Sequence, residues 1–249
     1  MGSARVELMA TVQHLQKWLA PHGGAIGDAA AAAAAAYATL LEPKRFKADA
    51  GGERVGFIAA RDVQQGEVLL QLPEKVAVTS IDAEQHPLIG GVAGECSELI
   101  ALALWVMAER AAGAASPWAP LLQTLPDSTN SPILWDDRER AEWLAGSPVL
   151  EEARSRQAQL KQQWAQLADR HFAADADRFP ATVFNEAAFL RAFCVVLASA
   201  TFLPSAGGAG SCAPAAAASM AGCQTPASSH RNAEPAQPCP DRARPHMRA

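Results

Sequence analysis

Tyrosine is nearly missing from these 249 residues, where one stands beside eight phenylalanines and six tryptophans. Alanine occurs 56 times, so the 49% apolar fraction contains few of the large side chains that bury most area per residue. The balance of 21 Lys and Arg against 26 Asp and Glu excludes the basic stripe of a nucleic-acid binder. With only 19% charged residues, the chain is not an acidic disordered polymer either. No uncharged apolar run approaches the ~18 residues of a membrane span, and no stretch has the layout of a secretory signal. A soluble intracellular protein without a membrane partner is expected. Five cysteines, three of them (Cys212, Cys223, Cys239) in the last 38 residues and none in a CxxC pair, argue against a disulfide framework.

A second absence divides the chain. Ile, Leu, Val, Phe, Tyr and Trp are all missing from residues 205–249, a stretch of Ala, Pro, Gly, Ser and Arg. Such a segment cannot offset the ~1–2 kcal/mol per residue lost on ordering its backbone, so a disordered C-terminal tail is expected. Its formal charge is +2 and that of residues 1–204 is −7, giving body and tail opposite signs.

Within the body, Leu8, Val12, Leu15 and Leu19 recur at helical spacing over 6–20, ahead of Pro21 and Gly23-Gly24. Eight alanines at 29–36 follow a possible cap at Asp28 and read as a low-complexity insertion. Residues 56–60 and 68–72 are short β-compatible runs that predict a hairpin, with a third strand at 76–79. The chain then turns helical. Ser97 caps a core segment carrying Leu99, Leu102, Trp105 and Met107 and closing at Gly113; a short helix covers 118–122, and Asp136-Asp137 starts another. Pro148 opens a helix over 149–172 with Leu150, Leu160, Trp164 and Leu167 on one face. A last helix runs from Asn185 through Phe189, Phe193, Val196 and Leu197 to about Phe202. This order predicts an α+β fold, mostly helical by residue count. The organisation is 1–49 (N-terminal helix and Ala-rich insertion), 50–96 (β unit), 97–204 (helical insert and following helix) and 205–249 (tail).

The residues alone name no reaction. Gly51-Gly52-Glu53-Arg54-Val55-Gly56 lacks the Gly-Lys-Ser/Thr ending and the following helix of a phosphate loop; it reads as a turn into a strand, or as a loop whose backbone meets a small cofactor. His14, His22, His86, His171, His230 and His246 have no metal-helix spacing. Cys212, Cys223, His230 and Cys239 are spaced too irregularly for a zinc site, so no metal is expected. There is no GxSxG elbow. The acidic cluster Asp136, Asp137, Glu139, Glu142, Glu151 and Glu152 reads as decoration of helix ends.

Three stretches together resemble a family. Glu53-Arg54-Val55-Gly56-Phe57-Ile58-Ala59-Ala60-Arg61-Asp62-Val63, with Gly66-Glu67-Val68-Leu69-Leu70 and Pro73, resembles the opening of a SET domain. Pro117-Trp118, followed by the run from Leu125-Pro126-Asp127 to Ile133-Leu134-Trp135, resembles the helical insert of the Rubisco large subunit methyltransferase group of SET proteins. The first helix and residues 189–202 fit the same group in order and spacing. The resemblance covers about 6–204 and implies a partial SET-type β unit with a helical insert. It also implies S-adenosylmethionine as cofactor, a protein substrate carrying a target lysine, and methyl transfer to the lysine ε-amine.

Carried onto this chain, the resemblance assigns cofactor binding to the backbone of Glu53, Arg54, Val55 and Gly56, as a Glu-x-x-Gly turn. It assigns no catalytic residue. Arg54 stands where relatives commonly have glycine. Ala198-Ser199-Ala200 stands where relatives carry a Ser-Arg pair, and neither the Asn-His motif nor the channel tyrosine follows Pro204; the one tyrosine is Tyr37. An incomplete methyltransferase product, inactive by itself, is therefore expected, with a non-catalytic SET-like remnant acting as a protein-binding module as the alternative. Relatives of this group are often plastid proteins, yet residues 1–20 read as the first family helix rather than as a transit peptide, so chloroplast and cytoplasm are both left open.

Overall fold

The computed structural model describes residues 2–26, 41–47, 53–203 and 213–215. The alanine run at 29–36 and the expected tail, apart from 213–215, lie outside the described residues. Leu8, Val12, Leu15 and Leu19 line the buried face of α1 (Gly2–Leu19). That helix tightens into a 3-10 turn at Ala20–His22 and stops at Gly23, whose φ of 85° lies in the left-handed region open to glycine.

Four strands follow: β1 (Ala25–Ile26), β2 (Leu41–Lys47), β3 (Glu53–Ala59) and β4 (Leu70–Gln71). β2 and β3 pair antiparallel, in register from Leu41 opposite Ala59 to Lys47 opposite Glu53. β1 pairs antiparallel with β4, Ala25 opposite Gln71 and Ile26 opposite Leu70. The expected hairpin is thus corrected. Residues 56–59 do lie in a strand, but its partner is 41–47 rather than 68–72. Alternation decides which face of a strand is buried and leaves open which strand lies beside it. β2 was hidden by its charges and Pro43, although buried Leu41 and Pro43 alternate with half-buried Glu42 and exposed Lys44.

After β3 the chain turns through Gly66, at φ 92°. Arg61 Nη2 donates to Glu67 Oε1 at 3.0 Å, and the Gln64 N–H donates to Glu67 Oε2 at 2.7 Å. These bonds, Arg61's first, hold the Glu67 carboxyl below its ordinary pKa. The third strand expected at 76–79 does not form. A 3-10 turn at Glu74–Val76 leads instead into α2 (Ser80–Glu84), because Asp82 Oδ2 accepts both the N–H and the hydroxyl of Thr79 at 2.7 Å and starts a helix there. Val76 and Val78 are buried all the same.

The helical part comprises α3 (Gly90–Ala93), α4 (Glu98–Ala112), α5 (Ala119–Leu122), α6 (Asp137–Trp143), α7 (Val149–Leu167) and α8 (Glu186–Ser199). All ten residues from Ile100 to Glu109 are buried, so α4 is surrounded rather than amphipathic. It packs against α8, α2, α3 and α5. Close approach at the start of α3 requires glycine, since a Cβ on Gly90 would collide with the carbonyl oxygen of Glu84.

The scarce aromatic residues are concentrated at two seams. Trp118 lies 5.4 Å from Trp18 of α1 and 5.5 Å from Trp105 of α4, measured between ring centroids. Trp18 Nε1 also donates to the Pro117 carbonyl at 2.9 Å. At the second seam Trp164 of α7 meets Phe172 at 5.1 Å and Phe189 of α8 at 5.2 Å, while Phe179 and Phe184 close against Phe172.

The last helix ends at Ser199, three residues short of the expected Phe202, and β5 (Thr201–Leu203) pairs antiparallel with β6 (Ala213–Ala215). Apart from this short strand, the expectation for 205–249 lies outside the described residues. A ladder is made by backbone groups, so the lack of large side chains does not prevent a short strand, and Pro214 opposite Phe202 is tolerated at an edge. Trp105→Ala is expected to lower the unfolding free energy by about 3–5 kcal/mol. Asp136→Ala, which removes only the cap of α6, should cost about 1 kcal/mol. Urea denaturation followed by circular dichroism checks the ratio.

Candidate functional site

The four residues that carry the cofactor expectation lie together on β3. Glu53 to Gly56 stand opposite Lys47, Phe46, Arg45 and Lys44 of β2, and Gly56 is buried. They form a strand and not the expected turn, because their backbone pairs with 41–47. The sheet holds two strands among the described residues, so the second edge of β3 has no partner strand there. Every second residue of that edge presents its backbone N–H and C=O away from β2, as a polar ligand held by main-chain groups requires. At the far end of the helical unit, α8 is buried from Ala192 to Val196 and opens at Leu197 and Ala198, with Ser199 buried again. Ala198-Ser199-Ala200 is thus at the helix end where the resemblance places it, without a cationic side chain.

Four of the six carboxylates of the acidic cluster are engaged in local structure. Asp136 Oδ1 accepts the Glu139 N–H at 2.7 Å while Glu139 Oε2 accepts the Asp136 N–H at 3.1 Å, a reciprocal cap on α6. Asp137 accepts from Arg140 at 3.1 Å, and Arg154 donates to Glu151 at 2.8 Å. Arg140 is 4% exposed and also reaches the Pro132 carbonyl and Gln157, joining α6 to α7. Asp136, Asp137, Glu139 and Glu151 are engaged in this way, while Glu142 and Glu152 stand exposed on α6 and α7. The two described cysteines offer no thiolate: burial pushes the Cys96 thiol up, with Glu95 adding to it, and burial raises Cys194 against a weaker opposing hydrogen bond from Ser131.

A buried polar centre escaped the sequence. Glu109, 6% exposed on the last turn of α4, accepts the Ser116 hydroxyl on Oε2 in a short hydrogen bond and faces His86 Nε2 at 3.2 Å on Oε1. His86 Nδ1 accepts the Leu88 N–H at 3.1 Å, which assigns the ring proton to Nε2 and makes the imidazole the donor to Glu109. Ser116 Oγ in turn accepts the Trp118 N–H at 3.0 Å. The carboxylate stands between hydroxyl and imidazole, so the histidine cannot take the serine proton and the arrangement is no nucleophilic triad. His86 and Glu109 are 23 residues apart, and no local motif marks the pair. The centre borders a cavity of about 620 Å³ between α4 and the 177–184 segment.

No family model matches the chain. In sequence it is 27% identical to the chloroplastic [fructose-bisphosphate aldolase]-lysine N-methyltransferase of Arabidopsis thaliana, over 60% of this chain and 27% of that protein. It is 28% identical to the chloroplastic Rubisco large subunit N-methyltransferase of Pisum sativum, over 70% of this chain and 32% of that protein. The solved structure of Rubisco LSMT bound to AdoMet superposes with a TM-score of 0.60 at 24% identity, covering 77% of this chain and 41% of the other. The fold is that of the SET domain. The SET domain of LSMT bound to lysine and AdoHcy gives the same TM-score over 79% of this chain and 41% of the other.

The chain resembles the Rubisco LSMT-like group in sequence and in fold, and spans about a quarter to a third of the length of these curated relatives. Within the SET fold, Glu53–Gly56 and the end of α8 are the positions that the resemblance marks, while the Glu109 centre belongs to the helical insert. Ser116→Ala should leave Glu109 short of a donor and lower stability by about 1–3 kcal/mol, measured by urea denaturation.

Proposed function

We propose that this chain supplies the cofactor-binding β unit and the helical insert of an S-adenosylmethionine-dependent protein-lysine N-methyltransferase. One observation carries the reading: within the SET fold, and among the described residues, β3 keeps its second edge without a partner strand at Glu53, Arg54, Val55 and Gly56. When bound, the cofactor supplies the methyl group that the ε-amine of a protein lysine accepts. The part of this chain is to hold the cofactor by main-chain groups of Glu53 to Gly56. Buried Gly56 removes the side chain that would otherwise stand beside the strand.

A lysine amine, with a pKa of ~10.4, must lose a proton before it attacks. The only tyrosine, Tyr37, lies outside the described residues, and Ala198-Ser199-Ala200 brings no cation to the end of α8. In this reading the sequence by itself binds cofactor without completing methyl transfer. The partner is a protein presenting a lysine, and the compartment is the chloroplast or the cytoplasm.

A second reading, a non-catalytic SET-like module that docks a protein on the helical insert, is favoured by Trp143, 71% exposed on α6, and by exposed Val149 at the start of α7. Titration calorimetry of the full chain with S-adenosylmethionine separates the two. Saturable binding that falls at least about tenfold in Gly56→Val, with an unchanged circular dichroism spectrum, is the expected result for the first reading; a tenfold loss corresponds to ~1.4 kcal/mol. No binding by the folded wild-type chain would leave the docking module.

A further inference from the structure

A cavity of about 310 Å³ lies between α4 and α8, beside the turn that carries Asp127. Two guanidinium groups line it, Arg110 from α4 and Arg191 from α8, over apolar walls that include Met107, Val183 and Ala188. Ala188 and Arg191 are three residues apart on α8, and Met107 and Arg110 three apart on α4, so each helix gives the cavity one face with an apolar position and a cation. Arg110 is half-buried, and its Nη2 donates to the Pro126 carbonyl at 2.7 Å, which fixes the guanidinium at the mouth. Among the described residues neither Arg110 nor Arg191 forms an ion pair with a carboxylate. Asp127 acts on Arg110 only as a nearby charge, and Arg191 acts on it as a like charge.

We infer that this cavity is a subsite for one carboxylate, carried by an acidic side chain of a protein partner. Two cations and Asp127 leave the lining at +1 in a chain whose formal charge is −5, so an incoming anion is drawn here against the general field. The guanidinium fork matches a planar carboxylate in a bidentate contact. Asp127 at the rim opposes a dianion more strongly than a monoanion, which favours carboxylate over phosphate. The apolar wall of Met107, Val183 and Ala188 receives the methylene stem of the acidic residue. Arg191 is exposed, so its head is free to close on the ligand. The site is eight residues along α8 from Ser199, about 12 Å at 1.5 Å per residue, and does not involve the β3 edge.

The test is calorimetric titration of the full chain with an N-acetylated, C-amidated pentapeptide that has a central glutamate flanked by alanines, beside its glutamine counterpart and free glutarate. The glutamate peptide is expected to saturate, the glutamine peptide to bind at least about tenfold more weakly, and Arg191→Gln to lose about tenfold for the glutamate peptide. Asp127→Asn, which takes the lining from +1 to +2, should tighten binding and make it fall more steeply with added salt. Arg191 and Asp127 are both exposed, so neither variant threatens the fold. Equal binding of the two peptides, no binding at all, or an unchanged Arg191→Gln variant would overturn the subsite. Glutarate binding as tightly as the peptide would overturn the protein partner as occupant.

Discussion

A carboxylate buried on a surrounded helix is the constraint on which the arrangement of the other elements turns. Once α4 is packed from Ile100 to Glu109, the Glu109 side chain has lost its water, and a buried anion without donors costs several kcal/mol. Its donors come from both sides in sequence, His86 before α4 and Ser116 after it. Each donor is itself oriented by a backbone N–H, Leu88 for the imidazole and Trp118 for the hydroxyl. The second of these sets the Pro117–Trp118 turn, and that turn places the indole between Trp18 and Trp105. One carboxylate therefore links the last turn of α4 to α1, about ninety residues earlier in the chain.

The helices were legible because their signals are local. The stripe Leu8, Val12, Leu15 and Leu19, the all-apolar run of α4 and the caps at Asp136 and Asn185 are properties of neighbouring residues, and each lies where it was read. Strand partners are not local. The alternation in residues 56–59 marked a strand, yet nothing within it says that Leu41 faces Ala59, and the charged pattern of 41–47 conceals a strand whose inward positions are Leu41 and Pro43. The Glu-x-x-Gly assignment suffered the same way. Its residues were assigned by resemblance as a turn, and pairing with 41–47 places them in a strand instead. The Glu109 centre was invisible for a third reason, since a buried polar network is made of residues that only the fold brings together.

A sequence identity of 24–28% is compatible with a shared fold because burial pattern, not residue identity, is what packing requires. The same tolerance does not extend to a site. Ala198-Ser199-Ala200 puts no cation at the end of α8, where the resemblance expects one, and that changes what the end can hold. Fold and chemistry are therefore separate inferences here, and the β3 edge bears on the second more directly than the superposition does.

The two halves of the molecule differ in how far they satisfy themselves. In the helical insert, the reciprocal cap on α6, the Arg140 bonds to the Pro132 carbonyl and to Gln157, and the aromatic seam between α7 and α8 tie the elements to one another. In the β unit, two two-stranded pairs leave strand edges open among the described residues, and an open edge is a set of directed donors and acceptors. In the proposed reading, capture of a polar ligand by main-chain groups therefore belongs to the β side. What the helical side offers instead is charge and shape: a +1 cavity between α4 and α8 in an otherwise negative body, beside apolar walls. Because α8 runs from that cavity to Ser199, with its middle turns buried against α4, the helix holds both places at a fixed separation. A chain docked by an acidic residue at Arg191 would be held at a set distance from the end of α8, a positional role that needs no catalytic group in the cavity.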